Sequence, residues 1–291
     1  MERFLSRDVP NTILRGFARF VPRLRSGRLP APAWLPEVTG RVAGETFVML
    51  DPARCENAKE LFWGEGRRPK AHDRLALDTV AALAREGDVF LDIGAYTGLF
   101  TLATTAVAPA LRAHAFEIVP AVADTLEANL RRNEVADRVT VHREGIGEPG
   151  TTMRVPFGEG GSALPSFYSS RMSFEDGHDV RFRSLDSVGA LIPAGAHVVM
   201  KVDVEGTEDA VLAHGQQLLA TFRPDLLCEV LPAADGASLD ELLAPAEVRR
   251  YLVTNSKLAE RGRIEPDDAF RDWLFSPRTP DELRALGLPV G

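Results

Sequence analysis

The chain is poor in cysteine, holding two in 291 residues. Cys55 and Cys228 are too few for a disulfide framework and too far apart for a metal motif, so a reducing compartment is the simplest setting. No stretch approaches the roughly 20 apolar residues of a transmembrane helix. The segment MERFLSRDVP lacks the apolar centre of a secretory signal, which makes the cytoplasm the expected location. Positive charge is in deficit, with 34 Lys and Arg against 42 Asp and Glu and a formal net charge of -8. Nucleic-acid binders usually present a basic face, so no nucleic-acid partner is expected. None of the six histidines pairs at i+4, and neither H-E-x-x-H nor G-x-S-x-G occurs. Zinc-hydrolase and nucleophile-elbow chemistry are thereby excluded. Internal repeats and low-complexity tracts are also missing.

What remains is ordinary globular material, 45% hydrophobic and 26% charged, able to bury a full core. Residues 1–70 differ from the rest and read as an N-terminal helical or irregular extension. The first 28 residues hold seven arginines against two acids. Leu14, Phe17, Val21 and Leu24 fall at helical spacing until Pro22 interrupts them, and a Pro-rich stretch, Leu29 to Val38, follows. Such a segment suits a lid, a homodimer arm, a membrane-surface helix or simple packing on the main domain.

Residues 71–291 alternate helix and strand. Apolar runs at 89–93, 113–116, 139–142, 198–202, 226–230 and 250–253 read as strands. Helices are expected around Leu75 to Leu83, over 101–107, and from Pro120, where Val122, Leu126 and Leu130 stack and Asn133 closes. Thr207 is placed to cap a helix with Glu208 and Asp209 in its first turn. This alternation predicts an α/β fold with a Rossmann-like doubly wound, mostly parallel sheet. Ligands then bind beyond the carboxyl ends of the strands.

The stretch VFLDIGAYTGLFT, Val89 to Thr101, builds a glycine cradle at such an end. Gly94 is followed by Ala95 and Tyr96, so the second glycine of the dinucleotide fingerprint G-x-G-x-x-G is missing. The spacing D-x-G-x-x-x-G, from Asp92 through Gly94 to Gly98, instead resembles motif I of class I S-adenosylmethionine-dependent methyltransferases. Glu117 lies 23 residues after Gly94, where a carboxylate reaches the vicinal hydroxyls of an adenosine ribose. In MKVDVEGTED, Lys201, Asp203 and Glu205 alternate with apolar residues, which sets the three on one side if the strand continues that far. Glu229 ends the next expected strand. Acids and a lysine converging on one rim need mutual partners or a ligand. His178, in the polar loop FEDGHDV, is a further candidate base.

The stretches DVFLDIGAYTGLFT, AFEIVP, VRFRSLDSV, KVDVEGTEDAVL and CEVLP, covering about residues 87 to 232, resemble in order the FkbM family of methyltransferases. KxDxEGxE is complete here in Lys201, Asp203, Glu205, Gly206 and Glu208. The resemblance implies methyl transfer from S-adenosylmethionine to a hydroxyl of a small molecule, among which the family's acceptors include sugars and polyketide-type natural products. It implies cofactor contacts from Asp92, Gly94, Ala95, Tyr96, Gly98, Glu117 and Ile118, and from Ser162 in a Gly-Ser segment. Two positions depart from the family: Tyr96 replaces a common Asn, and Ile118 a common Pro.

Transfer to an alcohol needs in-line positioning and a carboxylate to take the proton. Asp203 and Glu205 are the candidates, with Lys201 orienting them or holding an acceptor oxygen, and Glu229 binding an acceptor hydroxyl or completing the charge set. A divalent cation held by Asp203, Glu205 and Glu229 stays open, since oxygen ligands suit magnesium. Two other readings also stay open: an NAD-type oxidoreductase on the same fold, and a non-catalytic protein that binds a partner through the cleft.

Overall fold

The computed structural model describes residues 30–155 and 177–291. The expected helix around Leu14 to Leu24 and the candidate Ser162 lie outside the described residues. Among the described residues no helix is long and apolar enough to cross a membrane.

The centre is an eight-stranded sheet in the order β12-β11-β13-β10-β9-β3-β4-β5. Its parallel part comprises β3 (Val89–Ile93), β4 (Arg112–Phe116), β5 (Val139–His142), β9 (Val198–Val202) and β10 (Asp225–Glu229). Every residue of β3 and β9 is buried, as expected for strands covered on both faces. β11 (Arg249–Val253), β12 (Leu258–Arg261) and β13 (Asp272–Ser276) complete the sheet, with β13 antiparallel between β10 and β11. Neither β12 nor β13 was expected from the sequence.

Helices cover both faces, which makes the fold doubly wound. Along β3 the side chains alternate, Phe90 entering one core and Val89, Leu91 and Ile93 the other. From β3 the chain steps outward to β4 and β5, then returns to β9 on the other side of β3. The crevice between the carboxyl ends of β3 and β9 is therefore the switch point where such sheets bind ligands.

Residues 30–70 carry a hairpin rather than only helical or irregular chain. β1 (Glu37–Val42) pairs antiparallel with β2 (Glu45–Leu50) through Ala43 and Gly44, both at positive φ, the combination of a type I′ turn. A helix, α1 (Glu56–Trp63), follows. Val38, Val42, Phe47 and Met49 share one apolar core with Leu99 and Leu102 of α3 (Leu99–Val107), which comes after α2 (Ala71–Ala84) in the chain. The hairpin also meets α4 (Pro120–Arg132): Asn133 just beyond it accepts from Val48 N–H at 2.7 Å and donates to Val48 C=O at 2.7 Å. Asn133 thus serves the hairpin. It also closes the helix as expected, as its C-cap residue, but at φ -95°, and Glu134 takes the left-handed conformation.

Candidate functional site

At the carboxyl end of β3 the chain turns through Gly94, whose φ is +80°. A Cβ at Gly94 would stand 1.9 Å from the Asp203 carbonyl oxygen, and one at Gly98 2.3 Å from Leu126 Cδ1. The glycines are therefore demanded first by the chain's own packing, with Asp203 N–H also bonded to Ile93 C=O at 3.0 Å. Tyr96 stands at φ +51°, a region costly for a bulky side chain and tolerated by Asn. That accounts for the asparagine common in the resembling family.

The Tyr96 N–H donates to Glu117 Oε2 at 2.9 Å, and the Val119 N–H to Oε1 at 2.7 Å. Burial pushes the Glu117 carboxyl up to about 7, although these amides favour its ionised form. Each oxygen keeps acceptor capacity for a further donor. A buried acid with room for two more hydrogen bonds fits a vicinal diol.

β9 stops at Val202, so the expected alternation through Glu205 is not continued in the fold. Glu205 turns into the left-handed region (φ +57°), and Glu208 shapes the turn, its Oε1 accepting from Val204 N–H at 3.1 Å and Gly206 N–H at 3.2 Å. Thr207 holds the N-cap position of α6 (Glu208–Ala213), the helix after the short α5 (Leu185–Val188), but makes no side-chain cap bond. Lys201, buried, donates to Asp203 Oδ2 at 2.9 Å and lies 5.0 Å from the Phe100 ring centroid. Burial works against its charge, yet Asp203 and Asp92 more than offset this and raise its proton affinity. Burial, then Asp203, raise that of Glu205.

These groups share one cavity of about 420 Å³, lined by Gly94, Ala95, Tyr96, Glu117 and Ile118 on one side and Lys201, Asp203 and Glu205 on the other. Its size lies in the range of cofactor pockets. Four expected site residues are placed elsewhere. Asp92 is buried behind the cavity, its Oδ2 taking Thr101 O–H at 2.6 Å and Thr101 N–H at 3.2 Å. Gly98 packs on Leu126. Glu229 pairs in register with Asp272 of β13, outside the cavity lining. Burial and then Asp203 push Glu229 up to about 8 and Asp272 to about 6. His178 opens β8 (His178–Arg183), which joins β6 (Gly145–Ile146) and β7 (Thr152–Val155) in a small sheet, and does not reach the cavity.

Asp203, Glu205 and Glu229 do not form a metal-ligand set. Among the described residues no group of three His, Cys, Asp or Glu is disposed to hold a metal ion.

Sequence reasoning missed several cavity residues. Glu144, 3.1 Å from Arg183, follows β5, and its place after a parallel strand was the available signal. Glu56, Asn57 and Glu60 of α1, with Arg68 held 2.7 Å from Glu60, also line the cavity. They come from the region before the glycine loop and carry no local motif.

Comparison with solved structures gives weak resemblances. A methyltransferase FkbM from Methylobacillus flagellatus KT is 21% identical at TM-score 0.42, covering 65% of this chain and 44% of that one. This chain thus spans less than half the length of that relative. An O-methyltransferase from Bacillus cereus in complex with SAH is 12% identical at TM-score 0.40, covering 70% and 79% of the two chains. The O-methyltransferase TomG from Streptomyces achromogenes, involved in tomaymycin synthesis and in complex with SAM, is 13% identical at 0.40, covering 75% and 80%. No curated protein matches. The family model described as the methyltransferase FkbM domain matches residues 92–262, more than half of the sequence and the whole stretch from the glycine loop through the charged turn to β12. The chain belongs to the FkbM methyltransferase family.

Proposed function

We propose that the protein methylates a hydroxyl of a small-molecule acceptor with S-adenosylmethionine. The observation that carries this is the single cavity joining the Gly94 loop and Glu117 to Lys201, Asp203 and Glu205. When bound there, S-adenosylmethionine supplies an electrophilic methyl on a positively charged sulfur. Glu117 accepts the ribose hydroxyls with the capacity left on its two oxygens, and Ala95, Tyr96 and Ile118 line the nucleoside side. The acceptor oxygen forms its new bond to the methyl carbon as the sulfur keeps the electron pair of the bond that breaks. The hydroxyl proton passes to a carboxylate.

Glu205 is the better placed base, since it lines the cavity and is not committed to an ammonium, whereas Asp203 Oδ2 is held by Lys201. A raised proton affinity also brings a base nearer its working pH. Lys201 fixes Asp203, which orients the acceptor. The wall of Glu56, Asn57, Glu60 and Arg68 extends the methyltransferase domain of residues 71–291 and contacts the acceptor. Glu229 acts on this site through charge and not through contact.

The test is incubation with S-adenosylmethionine and a panel of hydroxylated acceptors, read by mass spectrometry for one added methyl. Glu205→Gln is expected to lower kcat by about 10²- to 10⁴-fold, the usual worth of a general base. If Asp203→Asn and Glu205→Gln both keep wild-type turnover, neither is the base. Calorimetric binding of NAD with none of S-adenosylmethionine would replace this reading by an oxidoreductase.

A further inference from the structure

Asn129 lies in α4, fully buried, and touches nothing in the cavity. Its carboxamide joins two distant parts of the chain. Nδ2 donates to the Thr97 carbonyl at 2.9 Å, and Oδ1 accepts from the Leu50 N–H at 2.8 Å. Thr97 is the residue after Tyr96 in the glycine loop, and Leu50 ends β2. The Thr97 hydroxyl also lies 3.2 Å from Cys55 Sγ, the N-cap residue of α1. Tyr96, in its unfavourable left-handed conformation, is therefore pinned on one side by Glu117 through its own amide and on the other by Asn129 through the next carbonyl.

We propose that Asn129 is a positioning residue for cofactor binding: it holds Thr97 so that the Tyr96 amide stays on Glu117, and it couples that loop to the N-terminal hairpin. The inference rests on the reading of the cavity as an S-adenosylmethionine site. Only a side chain that donates at one end and accepts at the other serves both partners. An aspartate would set a carboxylate oxygen against the Thr97 carbonyl oxygen. A smaller residue would leave the half-buried Leu50 N–H and the buried Thr97 C=O without these partners. Asn133 provides the control, because its side chain bonds to Val48 and to the Asn129 carbonyl but not to the loop.

The experiment compares full-length wild type, Asn129→Asp, Asn129→Ser and Asn133→Ala. The readouts are calorimetric affinity for S-adenosylhomocysteine, hydrogen exchange of the Tyr96 amide, and thermal unfolding. The expected result is at least tenfold weaker binding and at least tenfold faster Tyr96 exchange in both Asn129 variants. Asn133→Ala should stay within twofold of wild type on both, even where its Tm falls. Binding within twofold of wild type in a folded Asn129 variant overturns the proposal, as does equal weakening by Asn133→Ala. Asn129→Ser carries the comparison if Asn129→Asp does not fold. Should wild type fail to bind S-adenosylhomocysteine, the cofactor reading fails, and unchanged Tyr96 exchange in the variants would separately sink the clamp.

Discussion

The two ends of the parallel sheet treat buried charge in opposite ways. Where the strands begin, Asp225 is fully buried yet surrounded: His197 Nε2 lies at 2.8 Å, Arg278 Nε at 3.0 Å, and the Ser276 hydroxyl donates to it. Arg278 reaches on to Glu86 at 2.8 Å. Burial pushes Asp225 up, but these partners more than reverse it and hold the carboxyl below its usual value. Where the strands end, Glu117, Glu205, Glu229 and Asp272 are all pushed upward, by burial first and then, for the last three, by Asp203. One end has used its charge to bind strand to strand. The other keeps charge short of counter-charge, the condition expected where a ligand completes the set.

The largest effect should come from breaking the satisfied end. Asp225→Ala leaves His197 and Arg278 without their anion and should cost about 3–5 kcal/mol in urea unfolding. The pH profile gives the sign. The Asp225 contribution is present above the unfolded value of about 4 and is lost as pH falls through its depressed folded value. His197, raised chiefly by its bond to Asp225, contributes fully below about pH 6.5, and this is lost as pH rises through its folded value.

Next is Gly94→Ala, which drives a methyl into the Asp203 carbonyl at a positive φ. It should cost about 2–4 kcal/mol of stability by thermal unfolding, combining overpacking with left-handed strain. Glu117→Gln tests the unsatisfied end directly. Loss of charge-assisted bonds should weaken S-adenosylhomocysteine binding by about 10- to 100-fold in calorimetry. Wild-type affinity should fall about tenfold per unit as pH drops below 7, because protonation removes the acceptor, and the variant should lose that slope. Last is Glu229→Gln, the one substitution expected to stabilise. A carboxyl at about 8 destabilises the fold when ionised, so the substitution should raise the urea unfolding midpoint at pH 8.5. The gain should vanish near pH 4.5, below which both states hold the proton.

The parallel half of the sheet was legible because strands such as VFLDI and VVMKV are unbroken apolar runs, as burial on both faces requires. The β1–β2 hairpin escaped because its turn is Ala43-Gly44 and lacks the usual Asn-Gly or Asp-Gly signal. The cavity residues Gly94 and Glu117 were legible because their spacing is local to one strand-helix-strand unit. Glu60 and Arg68 were not, since only tertiary packing brings them to the cavity that Lys201 lines. The charged turn was half read. Lys201 and Asp203 come together as expected, while Glu205 departs because β9 ends at Val202 and the backbone reverses hand.

The bonds between Asn133 and Val48 bear on self-association. A carboxamide is a peptide group on a short stalk, and here it occupies the N–H and C=O of the outer strand of a two-stranded ribbon as a neighbouring strand would. With Asn129 on Leu50, the two side chains cap alternate residues along that edge. Open edges recruit strands from other molecules. In this protein two asparagines a single turn apart, Asn129 in α4 and Asn133 just beyond it, take up backbone groups of that edge in the place of a strand.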